Sequence, residues 1–125
     1  MRRVTKAGVI STIAGSGPLE GAFAGDGSRA VDARLNQPID VVTDRVGNLY
    51  VSDFGNKRIR RISTSGVIAT VAGNGLQGDV IEGVPATTTP LNPMGLRIDN
   101  QDRLVAHHWG QVFQWKGLNP LVRIP

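Results

Sequence analysis

An internal repeat of just under sixty residues governs what this chain can fold into. Arg2–Gly17 (RRVTKAGVISTIAGSG), shifted by 58 positions, falls on Arg60–Gly75 (RRISTSGVIATVAGNG) with nine of sixteen positions identical. Val4/Ile62, Thr5/Ser63 and Ile13/Val71 are near-equivalents. Gly27–Leu35 (GSRAVDARL) falls by a shift of 56 on Gly83–Leu91 (GVPATTTPL), and Leu-Asn-Gln-Pro at 35–38 recurs as Leu-Asn-Pro at 91–93. A period that long points to blades, arrays or solenoids, whose units cannot bury their apolar faces alone. Residues 2–15 match the closing part of the following unit, so the sequence enters a repeat in its middle. A longer array is the expectation.

Within one unit the turn residues mark four strands. Ile39–Thr43, Leu49–Asp53, Arg58–Ile62 and Val67–Ala72 are separated by Asp44–Asn48, Phe54–Lys57 and Ser63–Gly66. Connections of about 3–5 residues join antiparallel neighbours, so the unit is a meander. The first two strands read as nearly continuous apolar runs, as in strands covered on both faces. The third carries three arginines in five residues, which suits a more exposed place. The next unit repeats the pattern at Met94–Ile98 and Arg103–His107, with a third strand near Gln111–Trp115 after a one-residue deletion and a truncated fourth at Leu121–Ile124. Val9–Ile13 is a strand ahead of a long glycine-rich connection over 14–37, in which Ser28–Leu35 is expected to form one or two helical turns capped by Ser28.

Composition narrows the classes. With no cysteine, disulfide frameworks and thiolate zinc sites are excluded. No apolar run approaches the roughly 20 residues of a membrane span, and the charged start lacks the apolar stretch of a signal peptide. Sixteen glycines and seven prolines fit many tight turns. A net charge of +4 is an ordinary solvated surface unless it is gathered on one face.

Asn36–Asp44 (NQPIDVVTD), Gly47–Asp53 (GNLYVSD) and Gly55–Ile62 (GNKRIRRI) together resemble an NHL repeat, and the flanking Gly-Val-Ile-Ser-Thr-Ile-Ala-Gly and Gly-Asp-Gly elements resemble its long-period bacterial and teneurin-like variety. The resemblance implies an all-β fold, four-stranded antiparallel blades of a β-propeller. The chain then holds a partial propeller of about two blades: 1–15 as the last strand of a preceding blade, 36–73 as a complete blade and 92–125 as a divergent second one. Further blades of the same chain, or a homo-oligomer, are expected to close the ring. Strand parity puts the inter-blade connections 14–38 and 73–93 on one face, the top, with the turns Phe54–Lys57 and Trp109–Gly110. The turns Asp44–Asn48 and Ser63–Gly66 lie beneath. Long, variable loops gather on top, where binding is expected.

Asp53, Asn56, Lys57 and Arg58 are ligand-binding candidates there. A purely local reading competes, with Asp53 accepting backbone N–H bonds of its own turn and Asn56 left-handed. His107, His108 and Trp109 replace Ser52, Asp53 and Phe54 in the second blade. Adjacent strand residues point to opposite faces, so two neighbouring histidines do not converge on one ion. No metal site or cofactor is expected. Lys57, Arg58, Arg60 and Arg61 suggest a basic stripe for single-stranded RNA, or else a cationic outer strand that discourages edge pairing. Asp40, on the innermost strand, is placed to line the axis, while Asp26, Asp32, Asp79 and Glu82 match no calcium loop and read as solvated carboxylates. The favoured reading is a non-enzymatic interaction module, extracytoplasmic by resemblance, that holds a protein or glycan partner through its top loops. The alternatives are a metal-dependent lyase or lactonase-type propeller whose ligands lie mostly on other blades, and RNA binding by the basic face.

Overall fold

The computed structural model describes residues 1–15, 23–115 and 121–124. Among these, ten strands form two four-stranded antiparallel sheets and one two-stranded hairpin. The hairpin pairs β1 (Arg2–Val4) with β2 (Ile10–Thr12). The first blade contains β3 (Pro38–Thr43), β4 (Leu49–Asp53), β5 (Arg58–Ile62) and β6 (Ile68–Ala72), hydrogen-bonded in chain order. The second contains β7 (Leu96–Ile98), β8 (Leu104–His108), β9 (Gln111–Trp115) and β10 (Val122–Ile124) in the same order. The meander is therefore observed in both units, and the chain is a partial propeller.

The repeat is carried down to strand register. In the hairpin Arg2 faces Thr12, Arg3 faces Ser11 and Val4 faces Ile10. In the blade Arg60 faces Thr70, Arg61 faces Ala69 and Ile62 faces Ile68. Every one of these pairs is related by the 58-residue shift. Gly15 N–H donates to Ala30 O at 3.0 Å, and Gly73 N–H donates to Ala86 O at 2.9 Å, so the exit from each blade is tied to its connection in the same way.

Alternating side chains of the first blade serve two cores, because successive residues of a strand face opposite sides of the sheet. Val51, Ile62 and Ile68 pack with Ala14, Ala30 and Ala33 toward the hairpin. Ile59 and Ala72 pack with Leu91, Leu96, Leu104, Phe113 and Trp115 toward the second blade. The innermost strands β3 and β7 run side by side. Asp40 accepts the Leu96 N–H at 2.8 Å through one oxygen and the Val41 N–H at 2.9 Å through the other, bridging the two blades. Replacing Asp40 with Ala should cost about 0.5–1.5 kcal/mol, the ordinary net worth of such a bond. Urea unfolding reads this directly, and an unchanged midpoint would mean the bridge carries no weight.

Several expectations are corrected. Ser28–Leu35 holds a single 3₁₀ turn at Ala30–Asp32, and Ser28 donates to Gly25 O rather than capping it. The connection instead runs along the outer edge of β6. Gly27 N–H donates to Ile68 O, Ile68 N–H to Ser28 O, and Ala30 N–H to Gly66 O. The connection thus reaches the Ser63–Gly66 turn and covers an edge that would otherwise template pairing. The turn between β8 and β9 is two residues, Trp109–Gly110, against four between β4 and β5, so the deletion is of two residues rather than one. Strand β4 is enclosed, but Ile39 and Val41 of β3 are exposed. The first two strands are therefore not equally covered.

Candidate functional site

The top face is defined by two hydrogen bonds that bring the end of an inter-blade connection onto the turn after the second strand. Asn36 N–H donates to Asp53 Oδ1 at 2.7 Å, and Gly55 N–H donates to Asn36 O at 2.8 Å. Opposite it, Arg45 N–H donates to Asp102 Oδ1 at 3.1 Å, and the Arg45 guanidinium donates to Asn100 O, joining the lower turns of the two blades.

Beneath the top of the first blade lies a buried polar clamp. Arg60 and Asp53 are fully buried and paired at 3.0 Å. The guanidinium also donates to Asp26 Oδ1, Arg34 O and Ala24 O, each at 3.0 Å. A buried guanidinium needs this many acceptors, since an unpaired buried charge is costly. Asn56 donates through its side chain to the second oxygen of Asp53 at 2.8 Å. The local reading of this turn is corrected in two respects. Asp53 accepts from the preceding connection, and it is Lys57, not Asn56, that takes the left-handed conformation, with φ 54 and ψ 45.

Arg58 is partly buried. Its guanidinium sits 3.8 Å above the centre of the Phe23 ring and donates to Asn56 O and Asn74 O. Gly75 stands beside this guanidinium at φ 86, a left-handed conformation that favours glycine. Arg60 approaches the same ring at 4.7 Å. The arginines of β5 therefore brace loops. Of the proposed basic stripe, Arg60 is enclosed and Arg58 is engaged, leaving Lys57 and Arg61 partly exposed. Nor is β5 an outer strand, so its charges do not guard an edge. Asp26, read from sequence as solvated, pairs with Arg60 and accepts from the Thr70 hydroxyl.

The second blade rebuilds the clamp without charge. His108 occupies the place of Asp53, and its Nδ1 accepts the Asn92 N–H at 2.9 Å, as Asp53 accepts that of Asn36. Phe113 stands where Arg60 does in the register and meets the imidazole edge-on, ring centres 6.1 Å apart. His108 is 1% exposed. Burial holds the imidazole below its ordinary pKa, opposed by the Asp79 carboxylate. His107 is exposed on the opposite side of the strand, so the two histidines do not converge. Among the described residues no group of three or more His, Asp or Glu is placed to hold a metal ion.

Trp109 follows. It is 47% exposed, and at φ 44 it shares a turn with Gly110 at φ 78. A large aromatic with positive φ is a genuine outlier. Its ring lies 4.7 Å from that of His108, tilted by 40°. Trp109 and Lys57 are thus the accessible members at the top turns, and His107 is exposed on the side of β8 away from His108. Asp53, Asn56 and His108 are buried.

Sequence reasoning missed Phe23 and Asp26 as parts of the clamp. A signal for Asp26 existed, because Glu82 holds the same repeat position and accepts the Arg123 N–H at 2.9 Å on the equivalent outer strand.

A four-stranded meander repeated in register around a shared inner edge, with its loops braced on one face, is the architecture of a β-propeller segment. Residues 2–89 match the family model described as the teneurin NHL domain, and the chain belongs to that family. It is 41% identical to mouse Teneurin-1 over 71 residues, which is 50% of this chain and 3% of that protein. Human Teneurin-1 is 42% identical over the same length and coverage. Human Teneurin-4 is 41% identical over 71 residues, 50% of this chain and 2% of the relative. The chain spans only a few hundredths of these relatives' length. No helix among the described residues is long and apolar enough to cross a membrane.

Proposed function

We propose that this chain is part of a non-enzymatic interaction module of the extracellular or cell-surface space. Its top face, through Trp109, Lys57 and His107, meets a protein or glycan partner. The supporting observation is Trp109 itself. An indole held half-exposed at a strained turn position keeps much of its surface free for a partner, and aromatic residues dominate recognition surfaces. Beneath it the clamps fix the turns, so the exposed side chains are presented on a rigid base. Membership of the teneurin NHL family favours the interaction class and the extracytoplasmic location.

The test is an array of glycans and extracellular protein domains probed with the full-length protein. Trp109→Ala and Lys57→Ala together should lower binding to the strongest ligand at least tenfold, as expected where an aromatic anchor is worth about 2 kcal/mol. Val46→Asp, on an exposed lower turn, should leave it within twofold. The opposite ranking would move the binding face to the underside.

A further inference from the structure

The two blades fasten their connections through the same backbone amide but to acceptors of different chemistry. Asp53 is a carboxylate braced by Arg60 and Asn56, and a carboxyl group, unlike an imidazole nitrogen, keeps an acceptor lone pair for the amide in either protonation state. His108 can accept the Asn92 N–H only through an unprotonated Nδ1. That fixes the ring as the neutral Nε2–H tautomer, and Nε2 has no partner among the described residues. We propose that His108 makes the fastening of the 73–95 connection to the second blade acid-labile, so that this part of the top face loosens while the first blade's fastening holds.

The surroundings of the ring favour this. Trp109 from its own strand end and Phe113 from β9 cover it with apolar surface. From the connection, Asn92 contributes the amide and Asp79 a carboxylate field, while His107 on the same strand faces the other way. Among the described residues the ring forms no ion pair. A proton placed on Nδ1 removes the acceptor and turns two N–H groups against one another, His108 Nδ1–H and Asn92 N–H. The direction of the linkage follows. The unfolded chain takes up its proton near pH 6.5, whereas the folded ring, depressed by burial, takes it up lower. Stability from the neutral ring is complete above about pH 6.5 and declines as pH falls from there toward the folded value. This is the range in which histidine switches operate.

Amide hydrogen exchange on the intact chain tests the proposal, with intrinsic rates corrected for pH. Between about pH 7.5 and about pH 5 the protection of the Asn92 amide should fall about tenfold, the worth of one hydrogen bond. That of Asn36 should stay constant. In His108→Asn the side-chain oxygen can accept but not titrate, and Asn92 protection should be flat across the range. Acid loss of the same size in His108→Asn, or none in the unaltered protein, overturns the proposal. If that variant does not fold, nitrogen NMR of the unaltered protein decides: an Nδ1–H tautomer for His108 at neutral pH is incompatible with the proposal.

Discussion

Arg60→Ala should lower the unfolding free energy by about 3–5 kcal/mol, the cost of breaking a buried pair from one side. The loss is not that of a surface arginine. It strands the Asp53 carboxylate in a dry site and takes the guanidinium from the carbonyls of Arg34 and Ala24, of which Ala24 O keeps the Arg34 N–H. Asp26 is less affected, because it is a third exposed and can turn to water. Combining Arg60→Met with Asp53→Asn should recover much of the deficit, since replacing both charges removes the unpaired one. Denaturant unfolding of the single and double variants separates the effects. An Arg60→Ala cost below about 1 kcal/mol would mean that the clamp is not buried as described.

Phe113→Ala should cost a comparable 3–5 kcal/mol for a different reason. Phe113 is 2% exposed and belongs to the core that joins the two blades with Leu91, Leu104 and Trp115. Its removal leaves a cavity between two layers of rigid sheet, which relax little toward each other. The same cavity admits water to the His108 ring, so the variant should also shift that ring's titration upward toward the ordinary value. Phe113→Leu, which retains most of the volume, should be much milder. A Phe113→Ala protein as stable as the parent would show that the second blade is not packed on the first through this residue.

The strands were legible because their signals are local. Gly47 and Gly66 stand at turn positions with positive φ, and the runs between them are too short for helices. The spans Leu49–Asp53, Arg58–Ile62 and Gln111–Trp115 agree with the sequence reading. What sequence could not show is contact between distant residues. Three arginines in five residues read as solvent-facing. Arg60 is buried because Asp53, seven residues before it, and Asp26, thirty-four before it, converge on one guanidinium. No periodicity announces that convergence. The role of His108 was half legible: the repeat offset aligns it with Asp53, and Asn92 with Asn36. The sequence pattern did not reveal that the acceptor survives the change of residue type, because the two acceptors share only a lone pair directed at the same amide.

The central functional claim is that the turns after the second strands form the working face. Fluorescence of Trp109 tests it most directly. The chain has two tryptophans, and Trp115 is buried, so Trp115→Phe leaves Trp109 as the only reporter. Iodide should quench it freely in the unbound protein. Saturation with the strongest ligand from the array should cut the quenching constant at least about twofold, as the indole is covered. A ligand that binds at saturation while Trp109 remains as quenchable as before would contradict the account.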